Sequence, residues 1–532
     1  MKNIFFSLVF FVFMHFFGAT ASYAQPTISL SKTLGGAGNE RIRDLIADHD
    51  GHLMALCVVD SVDRDTSCNY HGGNTDIMLV KMDADGNIIW QKCYGGSKEE
   101  DAYQIIQTAD SGFIFVGISF SSDGDVTVYD SVFYFIWLVK IDSNGNIQWQ
   151  QGLDGGKPYD LNQLHNGKYL LACYTLNTTD DFPVHYGGGF TQDAWIVFIS
   201  SVGEIDTAVH YGGSDDDYLT EVLELPGGDL QLFGYTESND YDLAGTTAYG
   251  NWDGWIIRTD SAGVIKWLKR WGGGSTDAID GAVLLPDKGF LTAGSTSSNG
   301  PGAFSTNHGN SDVWVIRLDS VGYVLANFLF GGTGDEVPGG RRRIHNAGGG
   351  LFTIGARTDS FVGGDIGVHY GYTDFWFLTI DTNGVLVSSK VSGGSFYDDL
   401  YTNGMYSKNI AMEGGITGSN DFDIQDYHGG GDGWLIKIEG FTLVGEIKNN
   451  DSNVTIFPNP LHEQFIITSN LQEQLRNTWI DIYDLNGKIV LSKKLHQNVE
   501  SISVHGLAAG TYPFVLRDKQ QNKIATGKLI IQ

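Results

Sequence analysis

The sequence predicts an all-β chain: a seven-bladed β-propeller of four-stranded blades, followed by a small Ig-like β-sandwich. Three observations carry that expectation. A Gly-Gly pair is followed four residues later by a carboxylate seven times, with second glycines Gly36, Gly96, Gly156, Gly213, Gly273, Gly332 and Gly394 and carboxylates Glu40, Glu100, Asp160, Asp217, Asp277, Glu336 and Asp398. Successive carboxylates lie 57 to 62 residues apart, a period that belongs to solenoids, propellers and arrays. The 532 residues include 71 glycines, only 10 prolines and 12% aromatics, which suits short strands and tight turns. Finally, the strand missing from one end of the repeat region is present at the other.

Each unit reads as four strand-like runs. In the second unit these are 102–109, 113–119, 135–142 and 146–150, with turns at Asp110-Ser111-Gly112 and Ser143-Asn144-Gly145. Asp, Asn and Gly supply the local side-chain bonds and positive φ that hairpins need. The third run opens on an Asp two residues before a Trp: Asp193, Asp253, Asp312, Asp374 and Asp432 precede Trp195, Trp255, Trp314, Trp376 and Trp434. Unit one has Asp76 with Met78, and unit two has Phe135 with Trp137. A Trp repeated at this place is expected to pack between neighbouring sheets.

The last unit stops after its third run, whereas residues 28–36 match a fourth run at a shift of 60, pairing Ile28 with Ile88, Leu30 with Trp90 and Gly35 with Gly95. An open array has no use for that offset. A closed ring does, so Ile28 to Leu34 is expected as the outermost strand of the last blade.

Residues 1–24 read as an export signal, with Lys2, an apolar run from Ile4 to Phe17, and Ser22-Tyr23-Ala24 before a cleavage between Ala24 and Gln25. No later segment reads as a membrane-spanning helix. Four cysteines remain, and an exported protein can bridge Cys57 to Cys68 or Cys93. Cys57 and Cys173 also align with Gly117 and Gly234, as small residues filling a tight place would. Net charge is −30, nearly all of it before Asp451, since the remainder holds 8 Lys/Arg against 7 Asp/Glu. Such a surface repels nucleic acid and anionic membranes.

After a polar linker at 441–452 come Phe457-Pro458-Asn459-Pro460, Asp484-Leu485-Asn486-Gly487, Ala509-Gly510-Thr511-Tyr512 and Gly527-Lys528-Leu529. These segments resemble, in order, the type A C-terminal sorting domain of the type IX secretion system over residues 453–532. Pro458, Asn459, Pro460, Asp484, Gly487, Gly510, Tyr512 and Lys528 carry the resemblance, and Pro513 departs from it. The resemblance implies export across the inner membrane, passage through the outer-membrane translocon with the type IX machinery as partner, and a product secreted from or attached to the outer surface of a Gram-negative bacterium. The preceding units, 25–440, are similar to bacterial secreted propeller repeats, a likeness that implies the fold and no activity.

Standard catalytic signatures are missing from the sequence. Asp83-Ala84-Asp85-Gly86-Asn87 superficially matches a calcium loop but recurs at Asp142 to Asn146 as a hairpin turn. The seven carboxylates are the candidate binding residues, as an acidic ring at the channel mouth; the competing reading has each accept N–H bonds from its own Gly-Gly turn. His71, His185, Tyr249, His308, His369 and His428 recur in the loop after the second run. Asp123, Asp125, Asp240, Asp242, Asp421 and Asp423 in those loops are candidate local calcium ligands, and no cofactor other than calcium is expected. Arg341-Arg342-Arg343 interrupts the pattern, either neutralising nearby carboxylates or holding an anion. The expected function is a non-enzymatic binding or scaffold protein that recognises glycan or protein. The alternative is a glycan-degrading enzyme with a carboxylate site at the channel mouth.

Overall fold

Runs of seven or eight residues with continuous apolar character become strands covered on both faces. In the computed structural model, Leu53–Val59, Phe113–Ser119 and Phe135–Ile141 are buried at every position, whereas the outer Ile88–Tyr94 is mostly half-buried. The structure describes residues 26–441 except 62, 129–132, 177, 189–190, 300–306, 341–342 and 362. Beyond these it describes 454–457, 464–469, 478–484, 488–495, 499–504, 507, 510–520 and 523–531. The expected export signal and its cleavage point at Ala24 and Gln25 lie outside the described residues.

The fold is all-β. Among the described residues of the compact unit Gln25–Phe441, the strands form seven antiparallel sheets. The first contains Arg41–Ala47, Leu53–Val59, Asp76–Met82 and Ile88–Tyr94 in that order. Five more follow at 100–154, 157–211, 217–271, 277–330 and 336–392. The last joins Asp398–Ser407, Ile410–Thr417 and Asp432–Glu439 to Thr27–Leu34, which pairs antiparallel from Thr27 opposite Glu439 to Leu34 opposite Gly433. The chain's first described strand thus completes its last blade, as the offset ends require. Tight Asp-Gly turns connect the strands. Asp83 Oδ1 accepts the N–H groups of Asp85 and Asn87, and Asp142 does the same for Asn144 and Asn146, so both calcium-like segments are hairpin turns.

Trp137, Trp195, Trp255, Trp314, Trp376 and Trp434 are all fully buried, and Trp137 shares a core with Leu56, Val58 and Leu79 of the preceding sheet. A polar belt ties the innermost strands together. Asp44 accepts the Ile105 N–H (2.9 Å) from the second blade and the Thr402 hydroxyl (2.8 Å) from the seventh, so the ring is closed by side chains as well as by strand pairing. The sixth blade is irregular: its inner strand is split into Glu336–Pro338 and Ile344–Gly348, both paired to Leu351–Thr358. Arg341 and Arg342 fall outside the described residues, and Arg343 Nη1 lies 3.3 Å from Asp280 Oδ1, the neutralising contact of the two alternatives.

The disulfide joins Cys68 to Cys93, with Cα atoms 5.4 Å apart. Cys57 takes no part in it. It is buried with Cys173 in the second strand of its blade, where each fills the tight place that glycine fills elsewhere.

In the C-terminal unit two antiparallel sheets enclose one apolar core that includes Ile467, Ile480, Ile502 and Phe514. Asp484 caps a turn by accepting the Lys488 N–H (2.9 Å). Gly510 opens the strand Gly510–Arg517, and Lys528 stands opposite Pro513. Pro513 lies one residue past the end of that strand's pairing with Trp479–Tyr483, so its missing N–H costs no ladder bond on that side. Pro458, Asn459, Pro460 and Gly487 lie outside the described residues.

Removing residues 25–36 strips the outer strand from the last blade and is expected to lower the thermal midpoint by about 10 °C or more. An unchanged melting curve would show that the ring does not depend on this closure.

Candidate functional site: the blade junctions and the loop face

The Gly-Gly-acid signature forms a buried joint between consecutive blades. The acid accepts the N–H of the second glycine four residues earlier: Glu40 from Gly36 (2.8 Å), Glu100 from Gly96 (3.1 Å), Asp217 from Gly213 (2.7 Å), Asp277 from Gly273 (2.6 Å), Glu336 from Gly332 (2.6 Å) and Asp398 from Gly394 (2.7 Å). Hydroxyls complete the shell, such as Ser119 on Glu100 (2.7 Å), Ser238 on Asp217 (2.7 Å) and Thr358 on Glu336 (2.7 Å). The backbone N–H of each acid donates to the loop of the preceding blade, for example Glu100 to Thr75 O (2.9 Å) and Asp398 to Thr373 O (2.9 Å).

The Asp that opens each third strand is the other half of the joint. Asp76, Asp193, Asp253, Asp312, Asp374 and Asp432 are fully buried. Each accepts a loop N–H, from His71, Tyr186, Tyr249, His308, Tyr370 and His428 respectively, at 2.6–2.9 Å. The recurrent loop histidines are therefore held by their own blades. His71, His185, His308, His369 and His428 each place Nδ1 within 2.8–3.6 Å of that aspartate.

The first glycine of the pair sits between the two carboxylates. A Cβ on Gly95 would lie 2.6 Å from Glu100 Oε2 and 2.8 Å from Asp76 Oδ1, and one on Gly331 would lie 2.5 Å from Glu336 Oε2 and 2.4 Å from Asp312 Oδ1. Glycine is required here by close approach.

Two corrections to the sequence-based site follow. The carboxylates are buried inside the joints and do not line an open acidic mouth. Asp160 is not one of them. It stands in the belt with Asp44, accepting the Val222 N–H (2.8 Å) and the Gln104 amide (3.1 Å). The crossover into the third blade is shorter, so Gly156 takes the position of the acid and Lys157 pairs with Tyr174. At this junction the preceding blade carries Phe135 in place of its Asp. Thr175, whose counterparts bond the acid, has a buried hydroxyl with no partner. The two carboxylates are thus present together at six junctions and absent together at the seventh.

Burial raises the proton affinity of nine of these groups. Desolvation lifts Asp76 to about 6 and Asp217 and Asp374 to about 7, and it moves Glu40, Asp277, Asp312, Glu336, Asp398 and Asp432 the same way.

The loop aspartates brace the crossovers. Asp123, Asp240 and Asp421 accept the N–H groups of Ser97, Ser214 and Ser395 at 2.7–2.8 Å. Asp125 meets His71 Nε2 (3.3 Å), Asp242 accepts the Gly212 N–H (3.1 Å), and Asp423 lies 4.0 Å from Lys390 Nζ. Among the described residues one group has metal-like spacing, Asp48, Asp50 and His52, and Lys81 Nζ already stands 2.8 Å from Asp48 Oδ2. The innermost strands are mixed in charge, with Arg43 bonded to Asp101 (2.6 Å), and Arg357 of the sixth blade's second strand lies near Asp399 (3.6 Å).

Residues 455–532 match the secretion system C-terminal sorting domain. This domain marks the chain as a secreted or cell-surface protein and implies engagement of the type IX machinery. Comparison with curated proteins found no match. Among solved structures the chain is similar to the Dos1 propeller, with 9% identity over 79% of this chain and 95% of that one and a TM-score of 0.35. It is also similar to the extracellular domain of the putative one component system BT4673 from B. thetaiotaomicron (10% identity, 93% and 68% coverage, TM-score 0.30). Puromycin hydrolase matches at 11% identity over 89% of this chain and 58% of that one, with a TM-score of 0.40. The chain is a propeller followed by a sorting domain. No helix among its described residues is long and apolar enough to cross a membrane.

A carboxyl whose affinity for its proton is higher folded than unfolded contributes stability fully present below about pH 4 and lost as pH rises through its folded value. The thermal midpoint is therefore expected to fall between pH 5 and pH 8, and Asp374→Asn to flatten that slope; a midpoint that rises over the interval would contradict the raised affinities. Gly95→Ala is expected to cost about 1–3 kcal/mol in chemical denaturation.

Proposed function

We propose that this protein works at or beyond the outer surface of a Gram-negative bacterium by binding a glycan or protein through its loop face, and not by catalysis. The observation that supports this most directly is the division of labour between joints and loops. The repeated carboxylates are buried and hydrogen-bonded within the joints, which leaves them unsuited to act as an acid–base pair on a sugar. The loops on the same side of the sheets differ from blade to blade, as the variable part of a recognition surface does. The sorting domain delivers that surface to where extracellular ligands are met.

The full exported protein is expected to be retained by a polysaccharide or a surface protein without releasing new reducing ends, and retention is expected to persist in a chelator, since the reading needs no cofactor. Polysaccharide turnover abolished by substituting a single loop-face carboxylate would replace this reading with the glycan-degrading one. Truncation before residue 453 is expected to leave the chain in the periplasm, as measured by cell fractionation.

A further inference from the structure

The seven blades provide an internal control: a residue the fold needs recurs, and a residue that appears in one sector alone answers to something else. Aromatic side chains break the symmetry in the sixth and seventh blades. The crossover after Gly394 reads Ser395-Phe396-Tyr397, whereas the corresponding last two positions are Gly38-Asn39, Lys98-Glu99, Asp215-Asp216, Ser275-Thr276 and Gly334-Asp335 elsewhere. Two residues before the third-strand aspartate stands Tyr372, where the other blades have Asn74, Thr191, Asn251, Asn310 and Gly430. Three residues after the second-strand hydroxyl stands Phe361, against Ser122, Asn239, Asn299 and Asn420.

These rings are presented, not packed away. Phe361 is 73% exposed, Tyr372 72%, Phe422 65% and Phe396 55%. Tyr372 and Phe396 meet edge to face with centroids 6.4 Å apart, the Tyr372 N–H donates to Phe396 O (2.9 Å), Phe422 lies against Tyr370 at 5.0 Å, and Phe361 lies against His369 at 4.8 Å. Phe422 also has φ +53°, at a turn position where Gly124 and Gly364 take the same left-handed conformation. A bulky residue is disfavoured there, and the first and fourth blades carry Arg64 (φ +53°) and Tyr241 (φ +46°) at the corresponding turn, so the strain alone does not set Phe422 apart.

We propose that this aromatic platform on the loop face of the sixth and seventh blades binds a neutral polysaccharide. The proposal rests on the binding reading above and narrows it to one ligand class and one sector. Flat rings exposed at this level suit stacking against the C–H faces of pyranose rings. Asp421, exposed beside Phe422, offers a carboxylate to sugar hydroxyls, and the chain's net charge of −30 disfavours acidic polymers.

The test is affinity electrophoresis of the full exported protein through gels containing a neutral β-glucan, with a uronic-acid polymer as comparison. The replacements Tyr372→Asn, Phe396→Ser and Phe361→Asn install residues that other blades carry at the same positions, and unchanged melting curves verify that the ring is intact. Retention by the neutral gel is expected to weaken roughly tenfold or more in Y372N/F396S, as when an aromatic anchor is truncated, and in F361N to weaken measurably. Tyr241→Gly, at the turn of the fourth blade that corresponds to Phe422, is expected to change nothing. Equal retention of all variants would overturn the site while leaving the binding reading intact. Retention only by the acidic polymer, or by no polysaccharide while a surface protein is bound, would overturn the ligand class.

Discussion

A buried carboxylate in contact with a glycine-rich turn is the interaction on which the ring depends. Ion burial is unfavourable unless the charge is met by donors or the group keeps its proton. Each joint supplies donors to both carboxylates: the acid collects an N–H and hydroxyls, while its neighbouring aspartate takes a loop N–H from the preceding blade. The glycines exist because the carboxylates approach so closely that a Cβ would occupy the same space. The two halves come from different blades, so the joint fixes the angle and register of one sheet against the next. Their joint absence between the second and third blades, where Phe135 and Gly156 stand, is what a coupled pair would show: a lone carboxylate there would be left without its partner network.

The architecture was legible because every unit repeats the same instructions, and the offset ends told a ring from a stack. What was lost was register within a unit. Spacing alone placed Asp160 with the six joint acids, because a crossover shortened by a few residues is compensated in a count measured from Gly-Gly to the next acid. Phe135 in the preceding unit and Pro158 inside the supposed turn were the available signals. Cys57 is the small buried residue its alignment with Gly117 indicated, but the pairing of Cys68 with Cys93 was not legible, since a bridge depends on which segments lie side by side. Aligning the units for what they share also hides what they do not, which is why Phe361, Tyr372 and Phe396 emerged only once exposure was known.

Symmetry also divides the molecule by role. Residues repeated around the ring are buried and hydrogen-bonded within the joints, although Oδ1 of each third-strand aspartate accepts no bond among the described residues, and they account for the ring's stability. Residues that depart from the repeat include Phe361, Tyr372 and Phe396 in the loops, where the proposed recognition surface lies. The sorting domain is separate again, with a core of its own, so delivery and recognition can change independently.

The pairing of Thr27 with Glu439 has a consequence for biogenesis. The strand that completes the last blade is among the first described parts of the chain to be synthesised, and its partner is among the last before the sorting domain. The ring therefore stays an incomplete arc, with an unpaired edge at each end, until nearly the whole polypeptide has arrived. Completion of the fold is in this way a check on the integrity of the cargo: a chain cut short at either end has no seam to close, and its bare edges remain open to chaperones and proteases.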